Sequence, residues 1–329
     1  MPDPQMSTVH VNRPLSNLSV RHRNADAIGP MVFPTVPVLK ESDLYYRFLR
    51  RAWIRRSVGV IRPGDPAPEA GFKVTTDSYA AEEYGVRTKL PWRIRDNSDE
   101  PLRLPANKTE FVTDQIVLDA EYRVAQLVET TSWDSATAIG AGDRWDEGGE
   151  VLALVDAKKI AIRKACGFNP NVAVIGAEVW PALNRHPQLL RSFEQIKMTG
   201  EVMQGEGDGG DHPGILRVGT VAGLLGIRRL LIGEMVYDVE EEDAGDADAD
   251  SDVAFIWGKY FWLGYVNPSP SLDMPSAGYR FVSRRDGFDR TIRQYDQNDI
   301  KSTWYEGSEI VDEKVVSTAC GGILTTVVN

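Results

Sequence analysis

From Asn107 to Ser132 apolar side chains recur every three or four positions, at Val112, Ile116, Ala120, Val124 and Leu127–Val128. Asp114, Asp119, Glu121, Arg123 and Gln126 fall largely elsewhere, so the spacing predicts one amphipathic helix with a dry face and a wet one. Asn107, with Glu110 three residues on, has the form of a capping pair, and no Gly or Pro interrupts the run. At ~1.5 Å per residue the helix spans roughly 39 Å, longer than the usual globular helix. That length suits a beam better than the wall of an active site.

The pattern on either side is different in kind. Residues 1–40 are rich in proline and weak in periodicity, and read as an extended arm that gains structure by lying on something else. Leu44–Tyr45, Phe48–Leu49 and Trp53 then recur at helical spacing, which predicts a short amphipathic helix around Ser42–Arg56, either solvated or docked. Residues 57–94 read as a long hairpin. Val58, Val60 and Ile61 lead into the turn-rich tip Pro63-Gly64-Asp65-Pro66-Ala67-Pro68, and Phe72, Val74, Tyr79, Tyr84 and Val86 return. Such a ribbon is marginal alone in water, so its packing partner is expected from another subunit.

Beyond the long helix the chain alternates between helix and strand. A glycine-rich loop, Trp133–Gly149, precedes a helix from Glu150 to Cys166 that stops at Gly167, with Lys158, Lys159, Arg163 and Lys164 in its later turns. Val172–Ile175 reads as a buried strand, and helices follow around Val179–Leu183, Pro187–Met198 and Gly219–Leu225 before a strand at Arg229–Ile232. The last third is β-rich, at Val253–Trp257, Phe261–Val266, Tyr279–Val282, Thr291–Tyr295 and Ile323–Val328.

Charge changes this picture in one respect. The net charge is -11, yet nine acidic residues lie between Asp238 and Asp252 with no basic one, which leaves about -2 for all the rest. Residues 1–56 carry nine Lys/Arg against Asp3, Asp26, Glu41 and Asp43. A basic arm and an acidic loop suit contact between subunits, or with an acidic partner, better than general nucleic-acid binding. No run of 18 apolar residues predicts a membrane span, and the polar N-terminus lacks a signal-peptide core, so the protein is expected in the cytoplasm. Cys166 and Cys320 read as buried thiols of a reducing compartment.

Candidate chemistry is sparse. His10, His22, His186 and His212 form no H-E-x-x-H pair, there is no G-x-S-x-G elbow, and neither Cys has a His in a suggestive local motif. Gly205–Gly210 lacks the Lys-Ser/Thr ending of a phosphate loop and carries two carboxylates that repel anions. Asp246, Asp248, Asp250 and Asp252 alternate as in a calcium loop, but Ser251 and Trp257 stand where Gly and Glu are needed. The expectation is no catalytic residue, no cofactor and no metal.

Three stretches carry a family resemblance. They are Pro170–Gly176 with Glu178-Val179-Trp180, Leu183 and His186-Pro187; Phe255–Lys259 with Tyr265–Pro270; and Asp312–Val316. In this order and spacing the chain resembles the major capsid proteins of tailed bacteriophages. The resemblance implies an α+β, Hong Kong 97-like fold with an N-terminal arm (1–56), an extended hairpin loop (57–94), a peripheral domain (95–140 and 271–315) and an axial domain (141–270 and 316–329). It also implies hexamers and pentamers closing an icosahedral shell around double-stranded DNA held without sequence-specific binding. Portal, scaffolding and decoration proteins are the further partners implied, the virion is the location, and assembly takes place in the host cytoplasm. Subunit contacts are expected at the hairpin tip (Arg62, Pro63, Gly64, Asp65, Pro66, Pro68, Gly71) and on the basic arm (Arg47, Arg50, Arg51, Arg55, Arg56). A shell of the encapsulin type, packaging enzymes, is the rival within the fold, and a compact small-molecule enzyme the rival outside it.

Overall fold

The computed structural model describes residues 27–48, 56–63, 66–71, 74–97, 104–199, 216–239, 253–270, 274–284 and 287–329. Its organising strand is β13 (Ser302–Val315), 14 residues long. Along one edge it pairs antiparallel with β4 (Glu82–Pro91), from Ser302↔Pro91 to Val311↔Glu82. Along the other edge two strands share it end to end: β12 (Thr291–Gln297) and then β11 (Gly278–Ser283). A short strand, β1 (Thr35–Val38), adds in parallel to β11 and completes a five-stranded sheet.

The long helix runs from Leu104 to Thr130 and lies on this sheet. Val112 and Ile116 meet Ile292 and Val86 there. Gly307 makes the approach possible, because a Cβ on it would sit 2.5 Å from Val112 Cγ1 and 3.0 Å from Ile116 Cδ1. The helix begins three residues before the expected Asn107 cap. Pro105 sits in its first turn, where a missing N–H costs nothing.

A second sheet has the order β5 (Ser135–Ala138), β14 (Gly321–Thr325), β10 (Phe261–Gly264), β6 (Val172–Gly176), β7 (Arg229–Gly233). Every residue of β6 and β10 is buried, which is why both read as unbroken apolar runs. The helix Val151–Cys166 packs against it and ends at Gly167, whose φ of 84° is the left-handed conformation glycine adopts freely.

Two expectations fail between residues 39 and 94. Ser42–Phe48 is a strand, β2, rather than part of a helix, and it pairs antiparallel with β3 (Val74–Ala80), from Ser42↔Ala80 to Phe48↔Val74. The spacing of Leu44–Tyr45 fits a helix on paper, but a strand puts them on opposite faces: Leu44 is 60% exposed and Tyr45 is buried. Tyr45 and Tyr79 both pack on Phe281, with ring centroids 5.5 and 4.8 Å away. The ribbon thus leans on its own chain, and β4, expected to be its returning strand, belongs to the first sheet. A second small ribbon joins β8 (Val236–Asp238) to β9 (Val253–Phe255).

The N-terminal segment is also built in. Residues 1–26 lie outside the described part, but Ile28, Val32 and Phe33 are buried, within and beside a single helical turn, Gly29–Val32. Glu121 holds them. Although it was expected on the wet face of the long helix, its side chain is buried, accepting the N–H of Gly29 at 2.7 Å, that of Ile28 at 3.2 Å and the Trp257 indole N–H at 2.6 Å. Burial pushes its carboxyl above the ordinary value, against the pull of those donors and of the Arg280 charge.

A buried ion cluster ties helix to sheet nearby. Glu309 and Glu313, four residues apart on one face of β13, meet Arg280 of β11 at 2.5 and 3.1 Å. Arg123 of the long helix reaches Glu313 at 3.0 Å and Glu309 at 3.4 Å, pairs with Asp119, and lies 3.9 Å over the Tyr84 ring. Arg290 closes the set at 3.4 Å from Glu309. Burial works against the charge on Arg280, and Glu309 and Glu313 outweigh it, so its pKa is raised.

Two substitutions test these joints by denaturant unfolding. Glu121→Gln turns an amide NH2 toward N–H groups that need an acceptor, and is expected to cost about 1–3 kcal/mol. Glu313→Ala strips partners from Arg123 and Arg280 and is expected to cost about 3 kcal/mol, the low end for a broken buried pair because Glu309 still faces both. An unfolding midpoint equal to wild type in either case would contradict the assigned role.

Candidate functional site

The described residues hold no group of three His, Cys, Asp or Glu placed to bind a metal. An open groove of about 390 Å³ lies on the face of β4, β12 and β13, lined by Glu83, Arg87, Arg293, Glu306 and their neighbours. Its charges satisfy one another: Arg293 is 3.6 Å from Glu306 and 4.0 Å from Glu83, and Arg87 lies 4.6 Å over the Trp304 ring. That is a solvated, internally paired sheet face rather than a nucleophile with a base. His186 is buried, its Nδ1 accepts the Gln188 N–H at 3.3 Å, and burial lowers its pKa, so the ring finishes the turn into the helix Pro187–Thr199.

The most exposed apolar residues among those described lie elsewhere. Beyond Phe48 and Val74, which face each other at the end of the β2–β3 ribbon, the described residues 56–63 and 66–71 form an excursion from the body. Residues 56–63 and 66–71 carry almost no regular structure, and Val58 and Val60 are 99% and 97% exposed, with Ile61 at 54%. The excursion doubles back on itself, since a Cβ on Gly59 would lie 3.6 Å from Pro68 Cγ. Isolated exposed apolar residues are ordinary, but here three fall within four positions, which concentrates apolar surface on one short segment.

Six of the residues expected at subunit contacts are described along this segment. Arg56, Arg62, Pro63, Pro66, Pro68 and Gly71 are all exposed along it. Arg47 lies in β2 opposite Thr75, so it belongs to the stem of the excursion rather than to a separate arm helix. Gly64, Asp65, Arg50, Arg51 and Arg55 lie outside the described residues. The glycine loop 200–214 and most of the acidic stretch 238–252 also lie largely outside them; the β8–β9 ribbon that flanks the latter exposes Val236, Val253 and Phe255.

The stem is anchored by residues that no local pattern marks. Asp77 accepts from the Tyr45 hydroxyl and from Lys314 Nζ, each at 3.1 Å. Lys314 also donates to the Ser78 carbonyl, and the Ala80 N–H donates to Asp312 at 3.0 Å. Asp77 and Lys314 stand 237 residues apart, and only the fold brings them together. Burial raises the Asp77 pKa, and the lysine and the Ser78 N–H outweigh it, leaving the carboxyl below its ordinary value.

No helix among the described residues is long and apolar enough to cross a membrane. No protein-family model matches the chain. It is 25% identical over 264 residues to the major capsid protein of Burkholderia phage BcepMu, covering 77% of this chain and 75% of that protein. It is likewise 25% identical over 185 residues to the major capsid protein of Pseudomonas phage JBD67, spanning 58% of that protein. Among solved structures, a phage-related protein of Bordetella bronchiseptica RB50 superposes with a TM-score of 0.69 at 21% identity, over 97% of this chain and 98% of that one. The mature capsid of bacteriophage PhiM1 follows the same fold (TM-score 0.54, 11% identity, 92% and 87% covered), as does an encapsulin complex of Synechococcus elongatus PCC 7942 (0.51, 10%, 98% and 89%). Sequence relatives and fold agree: the chain has the Hong Kong 97-like α+β fold and is a relative of the major capsid proteins of tailed bacteriophages.

Proposed function

We propose that this chain is the major capsid protein of a tailed phage, assembling as hexamers and pentamers into an icosahedral shell around double-stranded DNA. The observation that carries the reading is the exposed apolar segment within residues 56–63 and 66–71, next to a stem held by hydrogen bonds from Lys314 to Asp77 and from Ala80 to Asp312. Covering Val58 and Val60 on an adjacent subunit contributes about 1.5–3 kcal/mol for each side chain. Repeated at every subunit, such small contacts close a shell without any catalytic group. The net charge of -11 gives the protein little means of neutralising phosphate, which suits a container that must not grip its genome.

In this reading the first sheet and the long helix form the peripheral domain, and the second sheet with its helices forms the axial domain. We draw the boundary between them near Trp133, a choice supported by the pairing of β5 with β14. The extended loop is best taken as residues 42–80, with β4 assigned to the peripheral sheet. Portal, scaffolding and decoration proteins are its expected partners. The encapsulin alternative draws on likeness of fold alone, whereas the sequence matches are to phage capsid proteins.

Sedimentation and electron microscopy of the purified protein are expected to reveal closed particles or hexameric and pentameric rings; a monomer that never grows, even with its scaffold, would refute the shell. DNA inside particles from infected cells supports the phage reading, and packaged enzyme the encapsulin one. Deleting residues 63–70 is expected to leave a folded subunit that assembles poorly, and wild-type particle yield would count against the excursion. The double substitution Val58→Asp, Val60→Asp is expected to leave thermal unfolding of the subunit unchanged while lowering particle yield at least about tenfold.

A further inference from the structure

The two cysteines meet. Cys166 is the last residue of the helix Val151–Cys166, and Cys320 ends the single 3₁₀ turn Thr318–Cys320 that leads into β14. These elements pack together, and the Sγ atoms lie 2.6 Å apart although the residues are 154 positions apart. Both side chains are buried, at 4% and 1% exposure.

We propose that Cys166 and Cys320 are a redox pair that closes into an intrachain disulfide when the protein meets a peroxide. The separation is about 0.5 Å beyond a disulfide bond of ~2.05 Å, so a small side-chain rotation completes it. The Gly167 N–H bonded to the Arg163 carbonyl fixes the helix end at 2.9 Å, and the Tyr265 N–H bonded to the Cys320 carbonyl fixes the turn at 2.8 Å. A metal is the other common reason for paired thiols, but no third His, Cys, Asp or Glu among the described residues joins them.

The chemistry balances with hydrogen peroxide as oxidant. One thiolate attacks a peroxide oxygen, the O–O bond breaks, and a sulfenic acid forms with release of water. The second sulfur then attacks the first, the S–O bond breaks, and a second water leaves with the remaining proton. Two thiols are oxidised and one peroxide is reduced to two waters. A reducing cytoplasm keeps the pair open during synthesis, and oxidising surroundings outside the cell close it. The bond then staples the middle of the chain to its C-terminal strand, which restricts the unfolded chain far more than the folded one.

The test uses the purified full-length chain and does not depend on whether it forms particles, which sedimentation reads separately. After limiting hydrogen peroxide, denaturation and maleimide labelling, both thiols are expected to be blocked. Peptide mapping should recover a linked pair containing Cys166 and Cys320, and dithiothreitol should restore labelling. The oxidised protein is expected to melt about 5 °C or more above the reduced one. Cys166→Ala and Cys320→Ala should each abolish that difference, and comparing oxidised with reduced wild type keeps the test valid if either variant folds badly. Full labelling after oxidation, disulfide-linked dimers in place of the internal bond, or an oxidised form that melts no higher would overturn the proposal.

Discussion

One buried carboxylate makes the described body of this protein a single object. Glu121 stands in the middle of the long helix, and its two oxygens accept N–H groups from the N-terminal turn and from Trp257, which belongs to the core of the second sheet. A charge at such a site is costly to bury, and only several donors arranged around it make it tolerable. Gly29 is part of that arrangement, since a Cβ there would lie 2.7 Å from Glu121 Oε2. Three parts of the chain separated by about a hundred residues or more therefore converge on one side chain.

The ion cluster on β13 does for the sheet what Glu121 does for the N-terminus. Arg123 sits one residue pair further along the same helix and carries the connection to Glu309, Glu313 and the Tyr84 ring of β4. From β4 the chain leads back through Ala81 to β3 and the stem of the excursion, itself pinned by Asp77, Lys314 and Asp312. A load on the projecting segment thus reaches the long helix through hydrogen bonds and ion pairs. That construction suits the intersubunit contact proposed for the segment.

Much of this architecture was legible in the residues. The long helix shows because its dry face is continuous from Val112 to Val128, and β6 and β10 show because strands buried on both faces become unbroken apolar runs. The misreadings are equally physical. Glu121 looks solvated in sequence because charge is normally external, and the donors that receive it come from residues 28, 29 and 257. Ser42–Arg56 reads as helical because Leu44–Tyr45, Phe48–Leu49 and Trp53 fit a helical period, and the contact that decides for a strand at Ser42–Phe48, Tyr45 on Phe281, is remote. The excursion was recognisable from its proline-rich tip. Its stem was not, because pairing of Phe48 with Val74 across an intervening loop leaves no local mark.

The parallel pairing of β1 with β11 also sets an order of events during synthesis. Thr35 cannot find Arg280 until the ribosome has added some 245 further residues, which takes roughly 10–50 s at ~5–20 residues per second. Nor can β11 settle before β13, its other neighbour, has followed. The N-terminal segment must therefore wait, unplaced, while most of the chain emerges, and long-range closures of this kind are slow. A nascent fragment lacks the sheet on which the excursion's stem is anchored, so the contact proposed for that segment is held in place only after β13 has been made. In the proposed shell, synthesis through β13 becomes its own check on which subunits can join.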